Sequence, residues 1–225
     1  TEIEAAAKLL RTKKKAALIL GNKALRTDGL TIAARIQGMI GCDLLAETFP
    51  ARMERGGNLP IVRHIPYLPK YAQAMLAEYE GVVLAGAKDP VTFFGYPGVP
   101  SRILSADQEE TTIGTGGQDL LEALAALADS FKGKGTGAGA PASSAQVKRP
   151  LIPEGALTSA AVCQTLAALQ PEDAIIVDEG GATSVRYYLI PDVLPTHTIL
   201  RITGGSIGYG MPCALGAALA CPDRP

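Results

Sequence analysis

Two glycine-bearing turns hold the residues of this chain whose types and spacing could do chemistry. The first reads Asp178-Glu179-Gly180-Gly181-Ala182-Thr183-Ser184. The second, Thr203-Gly204-Gly205-Ser206-Ile207-Gly208, lies in a stretch without a charged residue from Ile202 to Pro222. Glycine lets the main chain come close to a ligand, and a helix following such a turn offers N–H groups and a positive dipole to a phosphate. A tight strand-to-helix connection that binds nothing is the other reading of the first turn. In the second, Gly210 and Pro212 start a helix, where proline is tolerated in the first turn. Ala214, Gly216, Ala217, Ala218 and Ala220 keep that helix thin, so a second backbone or a flat ligand can approach. Ile207 is an isolated apolar residue among the loop glycines. Such a loop suits a bound cofactor.

Other chemistries find less support. A G-x-G-x-x-G pattern counted from Gly208 fails, because Cys213 stands at its last position. The turn Gly21-Asn22-Lys23-Ala24-Leu25 has a single glycine, so a nucleotide-binding (NAD or FAD) oxidoreductase pair stays an alternative rather than the first reading. No phosphate-binding G-x-x-x-x-G-K-[ST] loop occurs. His64 and His197 are the only histidines and neither has ligand spacing, so no metal site is expected. His197 begins a strand and is expected at the surface or in a cap. Asp178 and Glu179 are consecutive on a strand and point to opposite faces, which argues against a shared proton. Arg52, Arg55 and Arg63, in FPARMERGGNLPIVRHIP, could meet an anionic ligand or a neighbouring subunit; solvated loop charges are the plainer reading.

The elements that must position these turns follow an α/β rhythm. An amphipathic helix opens the chain (EIEAAAKLLRTKK), and AALIL at 16–20 is a strand. A helix then runs from Asp28, as its N-cap, to about Gly41. Strands are expected at 43–47, 81–87 and 101–106, and helices at 70–80 and 116–131. Short, continuous apolar strands between helices predict a parallel sheet covered on both faces. At 132–150, KGKGTGAGAPASSAQVKRP has no apolar periodicity and reads as a flexible linker. The rhythm then restarts, with a helix at 154–170, a strand running into the Gly-Gly turn and a helix start over 173–184, and a second strand at 197–202 that feeds the second turn.

Composition narrows the function classes. Of 225 residues 47% are hydrophobic and 19% charged, with a formal net charge of −1, which is ordinary for a globular protein and gives no footprint for nucleic acid or an anionic membrane. Cys42, Cys163, Cys213 and Cys221 form no C-x-x-C pair, so free buried thiols in a reducing compartment are expected. With no signal peptide the expected location is cytoplasmic. Glycines and Pro212 argue against the uncharged stretch spanning a membrane. Opening on Thr1 and closing on CPDRP just past a helix, the chain is expected to be cut at both ends.

The stretch GGSIGYGMPCALGAALACPDRP resembles the start of the diphosphate-binding domain in thiamine diphosphate-dependent 2-oxoacid enzymes of the acetolactate synthase, benzoylformate decarboxylase and pyruvate decarboxylase group. AETFPARMERGG and GAKDPVTFFGYPG resemble the middle domain of the acetolactate-synthase-like branch. The resemblance covers nearly the whole chain and is densest from 173 onward. It implies a Rossmann-like α/β middle domain at 1–131, the linker at 132–150, and the N-terminal part of the diphosphate-binding domain at 151–225.

The resemblance also implies roles. Ile207 becomes the catalytic wedge that holds the cofactor in a bent, V-shaped form. The Gly205 carbonyl accepts a hydrogen bond from the 4′-amino group, and the Ile207 N–H donates to the pyrimidine. Gly204 and Ser206 complete the loop, while Gly180, Gly181, Ala182 and Thr183 help hold the diphosphate. The implied reaction is decarboxylation of a 2-oxo acid, with the acyl-anion equivalent protonated or passed to a second carbonyl. The implied cofactors are thiamine diphosphate and Mg2+. The magnesium ligands are expected beyond Pro225 and the activating glutamate in an N-terminal domain acting across a subunit interface, so this fragment is expected to be inactive alone. A homo-oligomer, dimer or tetramer, is implied. FAD is not expected, since the turn at Gly21 lacks a glycine run. A non-catalytic relative with a degenerate cofactor site is the remaining alternative.

Overall fold

AALIL has no polar side chain, so a strand made from it needs cover on both faces. In the computed structural model, which describes residues 1–115, 117–133, 149–190 and 194–225, these five residues are β1 (Ala16–Leu20), buried throughout. Before it comes α1 (Glu2–Thr12), and after it a single 3-10 turn (Asn22–Leu25) and α2 (Thr27–Ile40). There follow β2 (Asp43–Ala46), β3 (Arg52–Arg55), β4 (Arg63–His64), α3 (Pro69–Leu76), β5 (Gly81–Ala85), β6 (Glu109–Ile113) and α4 (Leu120–Asp129). The later elements are α5 (Ser159–Leu169), β7 (Ile175–Asp178), α6 (Val185–Tyr188), β8 (His197–Arg201) and α7 (Gly210–Ala220). The α/β class read from the sequence is the class found.

The chain divides into two compact units, Thr1–Thr48 with Val62–Pro141, and Phe49–Ile61 with Ala142–Pro225. The expected linker falls mostly on 134–148, outside the described residues.

The first unit carries a five-stranded sheet in the order β4-β2-β1-β5-β6, parallel at every pairing. Ala17 and Ile19 of β1 and Val82 and Leu84 of β5 share one face with Ala72 and Leu76 of α3 and with Ile103 and Leu104. The alternate residues of these strands are equally buried, so the other face is covered as well. There α1 packs on β5 and β6, and α2 packs on α4. Thr1 and Glu4 cap α1 reciprocally, and Asp119 accepts from the Leu121 and Glu122 N–H groups to cap α4.

Two local expectations fail here for physical reasons. Asp28 does not cap α2: the boundary residue is Arg26, with no side-chain cap bond, and Asp28 sits in the first turn, where its charge suits the dipole. The segment 101–106 is not a strand. Ile103 and Leu104 are buried in the core, yet this stretch contributes only an isolated bridge between Arg102 and Val91. The fifth strand is instead β6, EETTI, at the sheet edge, where Glu109 and Glu110 are exposed and Ile113 is buried.

The second unit holds a three-stranded sheet in the order β3-β8-β7. β7 and β8 are parallel, whereas β3 runs antiparallel to β8 with Met53 opposite Ile199 and Glu54 opposite Thr198. Cys163 and Ala167 of α5 pack with Tyr187, Leu194 and Ile199 to form its core. Thr158 caps α5 by accepting from the Ala161 N–H at 3.1 Å. Among the described residues no helix is long and apolar enough to cross a membrane.

Candidate functional site

Parallel neighbours end on the same side of a sheet, and turns that follow them are adjacent. Asp178, the last residue of β7, stands opposite Arg201, the last of β8, so the turns at 179–184 and 202–209 leave the same edge. Ligands of open α/β sheets bind outside such carboxyl ends. Both glycine turns singled out in the sequence therefore meet.

The first turn is tied down from within. The Asp178 carboxylate accepts from the Gly180 N–H at 2.9 Å and from the Tyr188 hydroxyl at 2.6 Å, and faces Arg201 Nε at 3.3 Å. The Arg201 guanidinium in turn lies over the Tyr188 and Phe49 rings, 4.6 and 4.8 Å from their centroids. Asp178 is buried, and its charge is met by a cation and two donors, as a buried carboxylate requires. Burial raises the Tyr188 phenol far above its ordinary value, and the neighbouring Asp178 carboxylate adds to this, so Tyr188 remains a donor. Thr183 N–H closes the turn on the Gly180 carbonyl at 3.0 Å, and Cys163 of α5 donates to the Thr183 carbonyl at 3.3 Å. Gly180, Gly181, Ala182 and Thr183 are exposed. The helix after them, α6, is a single turn of four residues, so the strong helix dipole expected there is absent.

The second turn is held by Glu179. Its carboxylate accepts from the Gly208 N–H with one oxygen and from the Gly210 N–H with the other. These bonds hold its carboxyl below the usual carboxylate range. Gly204 and Gly205 have φ of 64° and 68°, a left-handed backbone that side chains disfavour. A Cβ at Gly181, Gly204, Gly205 or Gly208 would meet nothing within 4 Å, so the space over both turns is open. Ile207 stands in that space with 92% of its surface exposed. Its N–H donates to the Gly205 carbonyl at 3.0 Å, so the two main-chain groups assigned to the pyrimidine bond each other here. Helix α7 buries none of its residues.

The sequence places Asp178 and Glu179 at the start of the first turn, on opposite faces and without a shared proton, and assigns neither a partner. Their separation is as expected, but each has a distinct function in the turns. The usable signal was their place, an acidic dipeptide at the end of a strand next to a Gly-Gly turn and a second glycine loop.

Other expectations are corrected. His197 begins β8 but is buried at 1% exposure, with Nε2 3.0 Å from the Tyr187 hydroxyl and Nδ1 2.8 Å from the Pro195 carbonyl. A carbonyl only accepts, so Nδ1 carries the proton and the ring is a core group, neither surface nor cap. The three arginines have partners of their own rather than being solvated charges. Arg52 pairs with Glu54 at 2.8 Å, and buried Arg55 lies over the Tyr187 and Tyr188 rings. Arg63, in the other unit, binds Asp43 at 3.3 Å and the Tyr79 hydroxyl at 2.6 Å. All four cysteines are free, but only Cys42 and Cys163 are buried. Among the described residues no group of three or more His, Cys, Asp or Glu side chains is placed to hold a metal ion.

Comparison with known proteins agrees with the geometry. No family model matches the chain. Over 220 residues the chain is 43% identical to IlvX of Mycobacterium tuberculosis, provisionally named an acetolactate synthase large subunit, covering 96% of this chain and 41% of that protein. A provisionally named thiamin diphosphate-dependent enzyme from Mycobacterium smegmatis shares the fold with a TM-score of 0.71 at 22% identity, over 98% of this chain and 45% of that one. The thiamine diphosphate-dependent 4-hydroxybenzoylformate decarboxylase of Rhodococcus jostii gives 0.72 at 20% identity, over 99% and 44%. The chain thus spans less than half the length of these relatives. In sequence the chain is similar to an acetolactate synthase large subunit-like protein, and its fold is that of the two thiamine diphosphate-dependent structures.

Proposed function

We propose that this chain supplies part of the thiamine diphosphate site of an enzyme acting on 2-oxo acids, of the acetolactate-synthase-like kind. The observation that carries the reading is the meeting of two open glycine turns at the ends of β7 and β8, with Ile207 exposed between them and the solvent. The similarity to IlvX supports it.

The residues present fit the cofactor. The glycines leave room for rings against main chain, and Ile207 can pack between the two rings. Thiamine diphosphate held by these residues would supply the carbon nucleophile and electron sink that decarboxylation of a 2-oxo acid needs. The chain's own part is to bind and orient. Asp178 and Tyr188 hold the turn at 180–183 against the diphosphate end. Gly204, Gly205, Ser206 and Ile207 face the ring end, and the Ile207 N–H and Gly205 carbonyl part from each other to bond the pyrimidine. That exchange costs about 0.5–1.5 kcal/mol, the net worth of one hydrogen bond, and is offset by the new partners. Magnesium, its ligands and the activating glutamate belong to segments outside this chain, as does assembly into a homo-oligomer, and FAD has no part in the reading.

The test is amide hydrogen exchange with thiamine diphosphate and Mg2+ added to about 1 mM, where even a site worth only about 4 kcal/mol is half filled. Exchange should slow at 180–183 and 204–208 and remain unchanged in the first unit. Unchanged exchange at both turns would overturn the reading.

A further inference from the structure

Glu179 ties the two glycine turns together. It leaves the end of β7, yet both its carboxylate oxygens accept main-chain N–H groups from the segment after β8, Gly208 and Gly210, which are 29 and 31 residues away in sequence. Two charge-assisted bonds from one carboxylate define an orientation as well as a distance. Gly210 presses on the Glu179 side chain closely enough that a Cβ there would lie 2.7 Å from its carboxylate. Between the two anchored N–H groups lies only Tyr209, and directly before them Ile207. The adjacent carboxylate, Asp178, is committed elsewhere, to Gly180, Tyr188 and Arg201. Consecutive acidic residues thus serve different turns, Asp178 from the end of β7 and Glu179 from just past it.

We propose that Glu179 is a positioning residue: by bonding the Gly208 and Gly210 N–H groups together, it sets the loop conformation in which Ile207 and the Gly205 main chain meet the ring end of the cofactor. The proposal rests on the thiamine diphosphate reading above. It separates the site into two supports, with Glu179 serving the rings and Asp178 the diphosphate. The substitution Glu179→Gln keeps the shape but replaces one accepting oxygen with a donor, so at most one of the two bonds survives.

The experiment measures amide exchange and ligand binding in the wild-type chain and in Glu179→Gln. Exchange at Gly208 and Gly210 should rise about tenfold or more, the scale of one lost charge-assisted hydrogen bond, while the β7 and β8 amides stay as protected as before. The apparent dissociation constant for thiamine diphosphate should rise by a similar factor, and that for inorganic pyrophosphate should not change. Unaltered exchange would overturn the proposal. So would equal weakening of both ligands, which would make Glu179 a general support of the fold. Glu179→Asp is the second variant, guarding against loss of the sheet in the first. Its shorter carboxylate reaches only one of the two N–H groups, and full protection at both would equally overturn the proposal. If exchange behaves as expected but wild-type chain takes up no thiamine diphosphate, the cofactor reading fails and the role toward the rings fails with it, while the tie between the turns stands.

Discussion

Thr198 on β8 donates its hydroxyl to Glu54 on β3 at 2.6 Å, across 144 residues of chain. The same hydroxyl accepts from Arg224 at 2.9 Å, and the second Glu54 oxygen accepts from Arg52 at 2.9 Å. Glu54 is 7% exposed. A strand spelled Arg-Met-Glu-Arg is thereby held in the second unit by partners that satisfy its buried charge.

That network makes Glu54 a stability residue. Glu54→Ala should lower the unfolding free energy of the second unit by about 1–3 kcal/mol, because the Thr198 hydroxyl and the Arg52 guanidinium lose their acceptor. Urea denaturation followed by exchange at β8 amides measures it. A change below about 0.5 kcal/mol, the range of neutral surface substitutions, would show that the pairing adds nothing.

Ile207 and Gly205 should separate stability from function. Ile207 is exposed, so Ile207→Ala should leave unfolding within about 0.5 kcal/mol of wild type while, on the proposed function, lowering turnover more than cofactor affinity. Equal losses of both would remove the wedge assignment. Gly205→Val meets no steric obstacle, since a Cβ there has nothing within 4 Å. Its cost is the positive φ of 68°, about 1–3 kcal/mol for a strained residue, and should weaken thiamine diphosphate binding about tenfold or more. Unchanged affinity would mean that the loop conformation is irrelevant to binding.

Acid should loosen the second turn. Glu179 in the folded chain titrates below its ordinary value of 4.5, because the Gly208 and Gly210 N–H groups favour the charged form. A depressed carboxylate stabilises above its unfolded value and loses that contribution as pH falls through the folded one. Protection of Gly208 and Gly210, corrected for intrinsic exchange, should therefore be constant above pH 4.5 and decline below it. A flat profile into acid would contradict the Glu179 contacts.

The thiols should divide by burial. Burial raises the Cys42 thiol to about 12, with the Asp43 charge adding to the effect, and raises Cys163 above its ordinary value as well. Alkylation at pH 8 followed by mass spectrometry should label Cys213 and Cys221 first and leave Cys42 untouched until unfolding. Early labelling of Cys42 would show that α2 opens locally.

Apolar runs carried the legible part of the fold. AALIL and GVVLA became the buried centre of the parallel sheet, since only strands covered on both faces need be apolar at every position. β6 and β3 are not legible in the sequence because EETTI lies at an edge with its two glutamates exposed and RMER buries charge by pairing it. Ile103 and Leu104 misled in the opposite sense: they are buried, but in irregular chain, and burial alone does not define a strand. The candidate turns were visible through their glycines. The partners of Asp178 and Glu179 were not, because each depends on residues brought close by strand pairing.

The placement of β3 has a temporal consequence. Its residues leave the ribosome 144 positions before the strand they bond, a lag on the order of 10 s at about 5–20 residues per second. During that interval the segment lacks the strand it pairs with. The charges of Arg52, Glu54 and Arg55 then have a second use, guarding a waiting edge against adventitious pairing until translation delivers its mate.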